Sequence, residues 1–207
     1  MVMDNSRPRF EYRIWGNQLS PTRDRIAAIA APSEPRESAE TYILSRETDT
    51  ANVKIRAGLL DIKLMVEQEG RLERWRPLLK ATFPLDSRTI VEDVFPALGA
   101  APPQIERPSY SHGEFIRDLA KPHRDLAIVE VTKKRYAFNL DRCTAEFAEL
   151  GIAGGASAET IEFESEDPAA VLRAIAKFGL TAHHNISYVR HLKLMIGMMP
   201  GTSPAAR

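Results

Sequence analysis

Residues 52–64 read Asn52-Val53-Lys54-Ile55-Arg56-Ala57-Gly58-Leu59-Leu60-Asp61-Ile62-Lys63-Leu64. On either side of Ala57-Gly58 the side chains alternate: Lys54 and Arg56 share a face opposite Val53 and Ile55, and Asp61 and Lys63 share one opposite Ile62 and Leu64. A period of two belongs to β-strands, and a small residue followed by glycine between two such runs reads as a hairpin turn. The run Thr41–Arg46 upstream makes this a meander. At the N-terminal side, Arg9, Glu11, Arg13 and Trp15 alternate with Phe10, Tyr12 and Ile14, which predicts another strand with one polar and one apolar face. Arg71–Leu79 continues the series, with Pro77 placing it at an edge or ending it. Further strands are expected at Leu126–Thr132, Lys134–Leu140, Cys143–Leu150 and Thr160–Ser165, the last presenting Glu162 and Glu164 opposite Ile161 and Phe163.

Helix starts punctuate these runs. Ser20-Pro21 reads as an N-cap followed by proline at the first helical position, with Pro32 and Pro35 closing the segment. Asp86-Ser87 opens a helix to Leu98, Ser111 with Glu114 forms a capping-box pattern, Asp167-Pro168 opens a helix through Phe178, and Ser187 caps a short last one. The Pro-rich residues 101–108 read as a linker. Strand groups separated by helices, without regular βαβ alternation, predict an α+β domain over residues 9–196, with disordered tails at 1–8 and 200–207. Its sheet is expected to be mainly antiparallel.

Composition narrows the function. Lys plus Arg equal Asp plus Glu at 28 each in 207 residues, so there is no net field for bulk nucleic-acid or anionic-membrane binding, and any anion site is local. The stretch MVMDNSRPRF carries no signal-peptide pattern, and Leu192–Met199 is too short to span a bilayer, so a cytoplasmic protein is expected. The lone Cys143 reads as an inert core thiol. His183, His184 and His191 lack metal-ligand spacing, and Trp15 and Trp75 read as packing residues.

The charged faces carry the chemistry. Strand by strand, one wet face of an antiparallel sheet accounts for them. Yet Glu162 and Glu164 have no interleaved cation, and neighbouring carboxylates repel unless solvated or bound to a cation. Lys54, Arg56 and the Lys133-Lys134-Arg135 cluster concentrate positive charge on other strands, which suits phosphate oxygens. Closure into a barrel would point these faces into one polar lumen.

The order of motifs resembles the CYTH, or triphosphate tunnel metalloenzyme, family. Arg9-Phe10-Glu11-Tyr12-Arg13 is similar to its first-strand Glu-x-Glu-x-Lys signature, with Arg9 where the first glutamate belongs. Asn52–Arg56 and Asp61–Leu64 resemble its basic strands, Arg71-Leu72-Glu73 its Arg-x-Glu strand, Lys133–Tyr136 a further basic strand, Glu162-Phe163-Glu164 its terminal Glu-x-Glu, and Ser187-Tyr188 its closing pair. The resemblance implies an α+β fold, a mainly antiparallel β-barrel closed into a tunnel with flanking helices, in which Arg13, Lys54, Arg56, Lys63 and Arg135 hold phosphate oxygens. It implies that Glu11, Glu146, Glu162 and Glu164 ligate Mg²⁺ or Mn²⁺, with Glu11, Glu162 and Glu164 catalytic. The expected ligand is an anionic phosphorylated small molecule, hydrolysed with the metal or, since Arg9 replaces a carboxylate, bound without chemistry.

Overall fold

In the computed structural model, which describes residues 7–198, the strands close on themselves. They are β1 (Arg9–Gly16), β2 (Arg36–Ser45), β3 (Ala51–Arg56), β4 (Leu59–Glu69), β5 (Leu72–Thr82), β6 (Leu85–Asp86), β7 (Ser109–Tyr110), β8 (Leu126–Leu140), β9 (Cys143–Ile152) and β10 (Ala156–Ser165). The barrel order is β1-β10-β9-β8-β2-β3-β4-β5, every pairing antiparallel, while β6 and β7 form a separate two-stranded sheet. Closure removes the sheet edges except past Glu11, where β1 and β5 no longer pair.

The turn read at Ala57-Gly58 is where expected, and both residues have positive φ, 50° and 73°. Two expectations about β-structure are corrected. Leu126–Thr132 and Lys134–Leu140 are one strand, because Lys133 continues the extended backbone across the whole of β8. Pro77 lies within β5 rather than at an edge or end. It pairs opposite Lys63 at a register shift in the β4–β5 ladder, and a bulge absorbs the missing N–H.

Alternation puts charge inside and apolar side chains outside. Phe10, Tyr12, Ile14, Phe147, Ile161 and Phe163 face outward onto Ala170, Val171, Ala174 and Ile175 of the Pro168–Lys177 helix. Val53, Ile55, Leu60 and Ile62 pack outward against Ile90, Val94, Phe95, Phe115 and Leu119, which belong to helical segments spanning 87–97 and 112–120, each with a π-helical stretch. These helices therefore cover the barrel because its apolar face is the outer one. Only part of the interior is apolar: Tyr42, Leu44, Val129, Val131, Ala148 and Leu150 meet Tyr188, Val189 and Leu192 of the Tyr188–Met195 helix, which fills one half of the barrel.

Caps at Asp86, Ser111, Asp167 and Ser187 form as the sequence predicts, with a complete capping box at Ser111 and Glu114. Ser20 does not cap its helix; the N-cap is Leu19, and the Ser20 hydroxyl instead lies 3.3 Å from Glu159. The Asp167 carboxylate accepts from the Ala169 N–H at 3.0 Å. Asp167→Ala is expected to cost about 1 kcal/mol, the usual value of such a cap; an unchanged midpoint in urea would show that the Pro168 start suffices. Among the described residues no helix is long and apolar enough to cross a membrane.

Candidate functional site

The polar half of the lumen is a cavity of about 210 Å³. One wall is acidic, with Glu11 from β1, Glu162 and Glu164 from β10 and Glu146 from β9; the other is basic, with Lys54 and Arg56 from β3, Lys63 from β4, Lys80 from β5, and Lys133 and Arg135 from β8. Every site residue proposed from the sequence thus lines this one space, Arg13 included.

Strand register explains the acidic cluster. Glu11 pairs across the ladder with Glu164, Arg13 with Glu162, and Glu162 with Glu146. One oxygen each of Glu11, Glu162 and Glu164 lies within 4.8 Å of the others. Glu146 stands apart from that group, with its carboxylate 2.8 Å from Lys133 and 3.5 Å from Arg135. Its role as a fourth ligand, implied by the resemblance, is not what this arrangement displays.

Each member of the trio faces a protein cation. Lys63 donates to Glu11 at 2.9 Å, Arg13 is paired with Glu162, and Arg9 at the rim bonds Glu164 at 3.0 Å. The carboxyls nevertheless perturb one another. Burial pushes Glu11 up to about 8 against the pull of Lys63, and the charges of Glu162 and Glu164 push the same way. Burial also opposes ionisation of Glu162, yet the Arg13 guanidinium, with Lys63 behind it, holds that carboxyl down to about 2. The geometry therefore favours one protonated and one ionised carboxyl side by side at neutral pH.

Arg13 is a buried cation, 5% exposed, bonded to Thr160 at 3.3 Å and lying 4.1 Å above the Tyr188 ring. Lys133 reaches the same ring from 4.8 Å. Tyr188 marks the boundary between polar lumen and apolar fill. Trp15 takes no part in the cavity lining; it stacks on His191 at 3.7 Å. Burial first, then Arg13, lowers that imidazole to about 4, so it remains neutral. His191 is thus half-buried, whereas His183 and His184 are exposed. Trp75, read as a packing residue, lines the cavity and donates to Glu73 at 3.2 Å. Cys143 is buried, and burial pushes its thiol up to about 11, which keeps it inert.

Several participants escaped the sequence reading. Glu40, 1% exposed, is the counter-charge of Lys54 and Arg56, each at 3.5 Å, and accepts from the Tyr42 hydroxyl at 2.8 Å. Burial works against its ionisation, but Lys54, Lys133, the Tyr42 hydroxyl and Arg56 hold it at about 2. Lys54 in turn is lowered to about 8, chiefly by burial and only partly restored by Glu40. Glu73 pairs with Arg190 from the last helix, and Lys133 shares the lumen with Arg135 because residues two apart on one strand share a face. Lys133 belongs to the basic cluster read from the sequence, but splitting β8 at that residue leaves it out of the phosphate-binding set, of which Arg135 alone is named from this strand.

No protein-family model matches the sequence, and no curated protein matches it. Among solved structures, a candidate adenylate cyclase of Bacillus halodurans superposes with a TM-score of 0.50 at 11% identity, over 87% of this chain and 96% of that one. A Pyrococcus horikoshii protein gives a TM-score of 0.48 at 14% identity, over 86% and 97%. The Bacillus likeness concerns the fold alone. It agrees with a closed antiparallel barrel.

Proposed function

We propose that this lumen binds a short phosphate chain together with a divalent cation and hydrolyses a phosphoanhydride bond, as a divergent relative of the CYTH family. The observation that carries the reading is the convergence of Glu11, Glu162 and Glu164 opposite a wall of lysines and arginines. Three carboxylate oxygens within 4.8 Å, one from a buried residue and two from half-buried ones, make a hard-oxygen donor set of the kind that suits Mg²⁺ or Mn²⁺. An ion held there supplies Lewis acidity and charge neutralisation toward phosphoryl oxygens. Glu11, Glu162 and Glu164 would hold it, and Lys63 and Arg9, now paired with two of them, would be released toward the phosphate. Arg13, Lys54, Arg56 and Arg135 would bind phosphate oxygens, Arg through its planar fork and Lys as a point charge. Burial of these groups keeps the field unscreened, which favours transfer chemistry that depends on positioned charge.

Size bears on the ligand. The cavity, about 210 Å³, lies below the ~300–1,000 Å³ of pockets for drug-sized ligands. That supports inorganic triphosphate or a small organic phosphate over a nucleotide held whole, and weighs against carrying over the cyclase activity named for the Bacillus neighbour.

A second reading, anion binding without hydrolysis, is favoured by the Arg9–Glu164 pair, since Arg9 brings a cation to the edge of the carboxylate trio. Phosphate release from inorganic triphosphate and from ATP, with and without Mn²⁺ or Mg²⁺, separates the two. Metal-dependent release from triphosphate, lost in Glu162→Gln/Glu164→Gln, is the expected result. No release, with triphosphate still raising the thermal midpoint, would leave the binding reading standing instead.

A further inference from the structure

The β1–β5 seam that closes the barrel is short: only Arg9, Phe10 and Glu11 pair with β5. Past Glu11 the two strands part, and the free side of β1 would present the Glu11 carbonyl and the Arg13 amide to nothing. Both belong to residues whose side chains enter the candidate site. A side chain from far along the sequence meets them. Asn185 accepts from the Arg13 N–H at 2.8 Å through Oδ1, and its Nδ2 donates to the Glu11 carbonyl at 3.1 Å and to the Arg71 carbonyl at 3.0 Å. Its neighbour continues the pattern, with the Ile186 N–H donating to the Arg13 carbonyl at 3.0 Å and the Ile186 carbonyl accepting from the Trp15 indole at 2.8 Å.

From this arrangement we infer that Asn185 is a positioning residue for the site, a surrogate for the missing strand that fixes the height of Glu11 and Arg13 in the lumen. The primary amide is the side chain suited to the task, since it supplies an acceptor and two donors, matching the main-chain pattern of the absent partner. Buried main-chain groups need such partners, so without the amide the backbone of β1 would shift to find others. A shift there moves Glu11 relative to Lys63 and Arg13 relative to Glu162, because each side chain leaves the strand at the point Asn185 holds. The loop carrying Asn185 also leads directly into Ser187 and Tyr188, so the same clasp ties the seam to the helix that fills the barrel.

The inference rests on the metal-binding reading above, and its test separates the two. Tyr12→Phe is the control: the Tyr12 hydroxyl donates to the carbonyls of Leu180 and His183 at 2.9 and 2.7 Å, so its loss loosens the same loop without touching the Glu11 or Arg13 backbone. With Mn²⁺ as the probe, Asn185→Ala is expected to weaken binding about 10–100-fold, as loss of a group that orients metal ligands does, while Tyr12→Phe leaves it near wild type. In the metal-free protein, carboxyl carbon resonances of Glu11 and Glu162 are expected to move in Asn185→Ala and not in Tyr12→Phe. Should Asn185→Ala fail to fold, Asn185→Asp serves, keeping the acceptor for Arg13 and losing both donated bonds. Equal loss of Mn²⁺ affinity in both variants, or unmoved resonances in the Asn185 variant, would overturn the positioning role. If the wild type binds no Mn²⁺, the metal reading fails and the resonances alone decide the matter.

Discussion

Glu162→Gln is expected to destabilise the protein by about 3–5 kcal/mol, whereas Arg13→Met combined with Glu162→Leu recovers most of that loss. The asymmetry follows from burial. Arg13 is 5% exposed and Glu162 8%, so removing the carboxylate leaves a buried guanidinium without its direct ion-pair partner, with Glu146 and Glu11 acting only as weaker charges beyond it. The Thr160 hydroxyl and the Tyr188 ring remain beside it, but neither carries a full negative charge. Replacing both ions by apolar groups removes the desolvation cost along with the attraction, and such swaps are often neutral or stabilising. Urea unfolding of the three proteins checks this. If the double variant is as unstable as Glu162→Gln, the pair contributes net stability of its own and the cost is not an orphaned charge. The functional readout runs the other way, because the double variant loses both a cation and a candidate ligand and is expected to bind neither Mn²⁺ nor triphosphate. Stability and binding thus separate at this pair, as expected where charges are buried for a ligand rather than for the fold.

Much of this architecture was legible in residues 52–64, because strict alternation fixes both the element and its two faces. The charged faces of β1, β3, β4 and β10 are read directly from sequence and all turn inward, where Arg13, Lys54, Arg56, Lys63, Glu11, Glu162 and Glu164 meet. What alternation cannot give is partnership. Glu40 sits in a run with Tyr42 and Leu44 on its own face, and nothing local marks it as the counter-charge for a strand lying 14 and 16 residues on; only the pairing of Glu40 with Arg56 and of Tyr42 with Lys54 brings them together. Glu146 is grouped with the other glutamates by its place in the motif order, and register does set it opposite Glu162, but its carboxylate turns to Lys133 instead. Asn185 was illegible for a similar reason: its function is to complete a strand 172 residues away, and a loop asparagine carries no pattern that says so. Pro77 misled because the rule confining proline to edges assumes a regular ladder, and the β4–β5 ladder is irregular there.

Without divalent cations, the protein is expected to be most stable between about pH 4.5 and 6.5 and to weaken in both directions, with Mn²⁺ flattening the alkaline limb. On the acid side, Glu40 and Glu162 have folded-state values of about 2 against an ordinary 4.5. A depressed carboxyl contributes stability that is fully present above its unfolded value and lost as pH falls through the folded one, so this limb runs from about pH 4.5 to 2, and Glu40 alone accounts for about 3 kcal/mol of it. Glu11 acts in the opposite sense. Its folded value of about 8 lies above the ordinary 4.5, so between those values the folded state holds a proton that the unfolded chain has released. Up to about pH 6.5 His191, lowered to about 4, offsets this, because the unfolded imidazole holds a proton that the folded one has lost; above that, stability falls with rising pH by up to about 1.4 kcal/mol per unit. Lys54, lowered to about 8 from 10.5, acts only above that window, where it raises stability with pH. A divalent ion among Glu11, Glu162 and Glu164 favours the ionised form of Glu11, so binding releases a proton and Mn²⁺ raises the melting temperature more at pH 8 than at pH 5. Melting curves across this range, with and without Mn²⁺, read both limbs. A Mn²⁺ effect equal at pH 5 and pH 8 would place the ion away from Glu11, and an alkaline limb that persists in Glu11→Gln would assign the titration to another group.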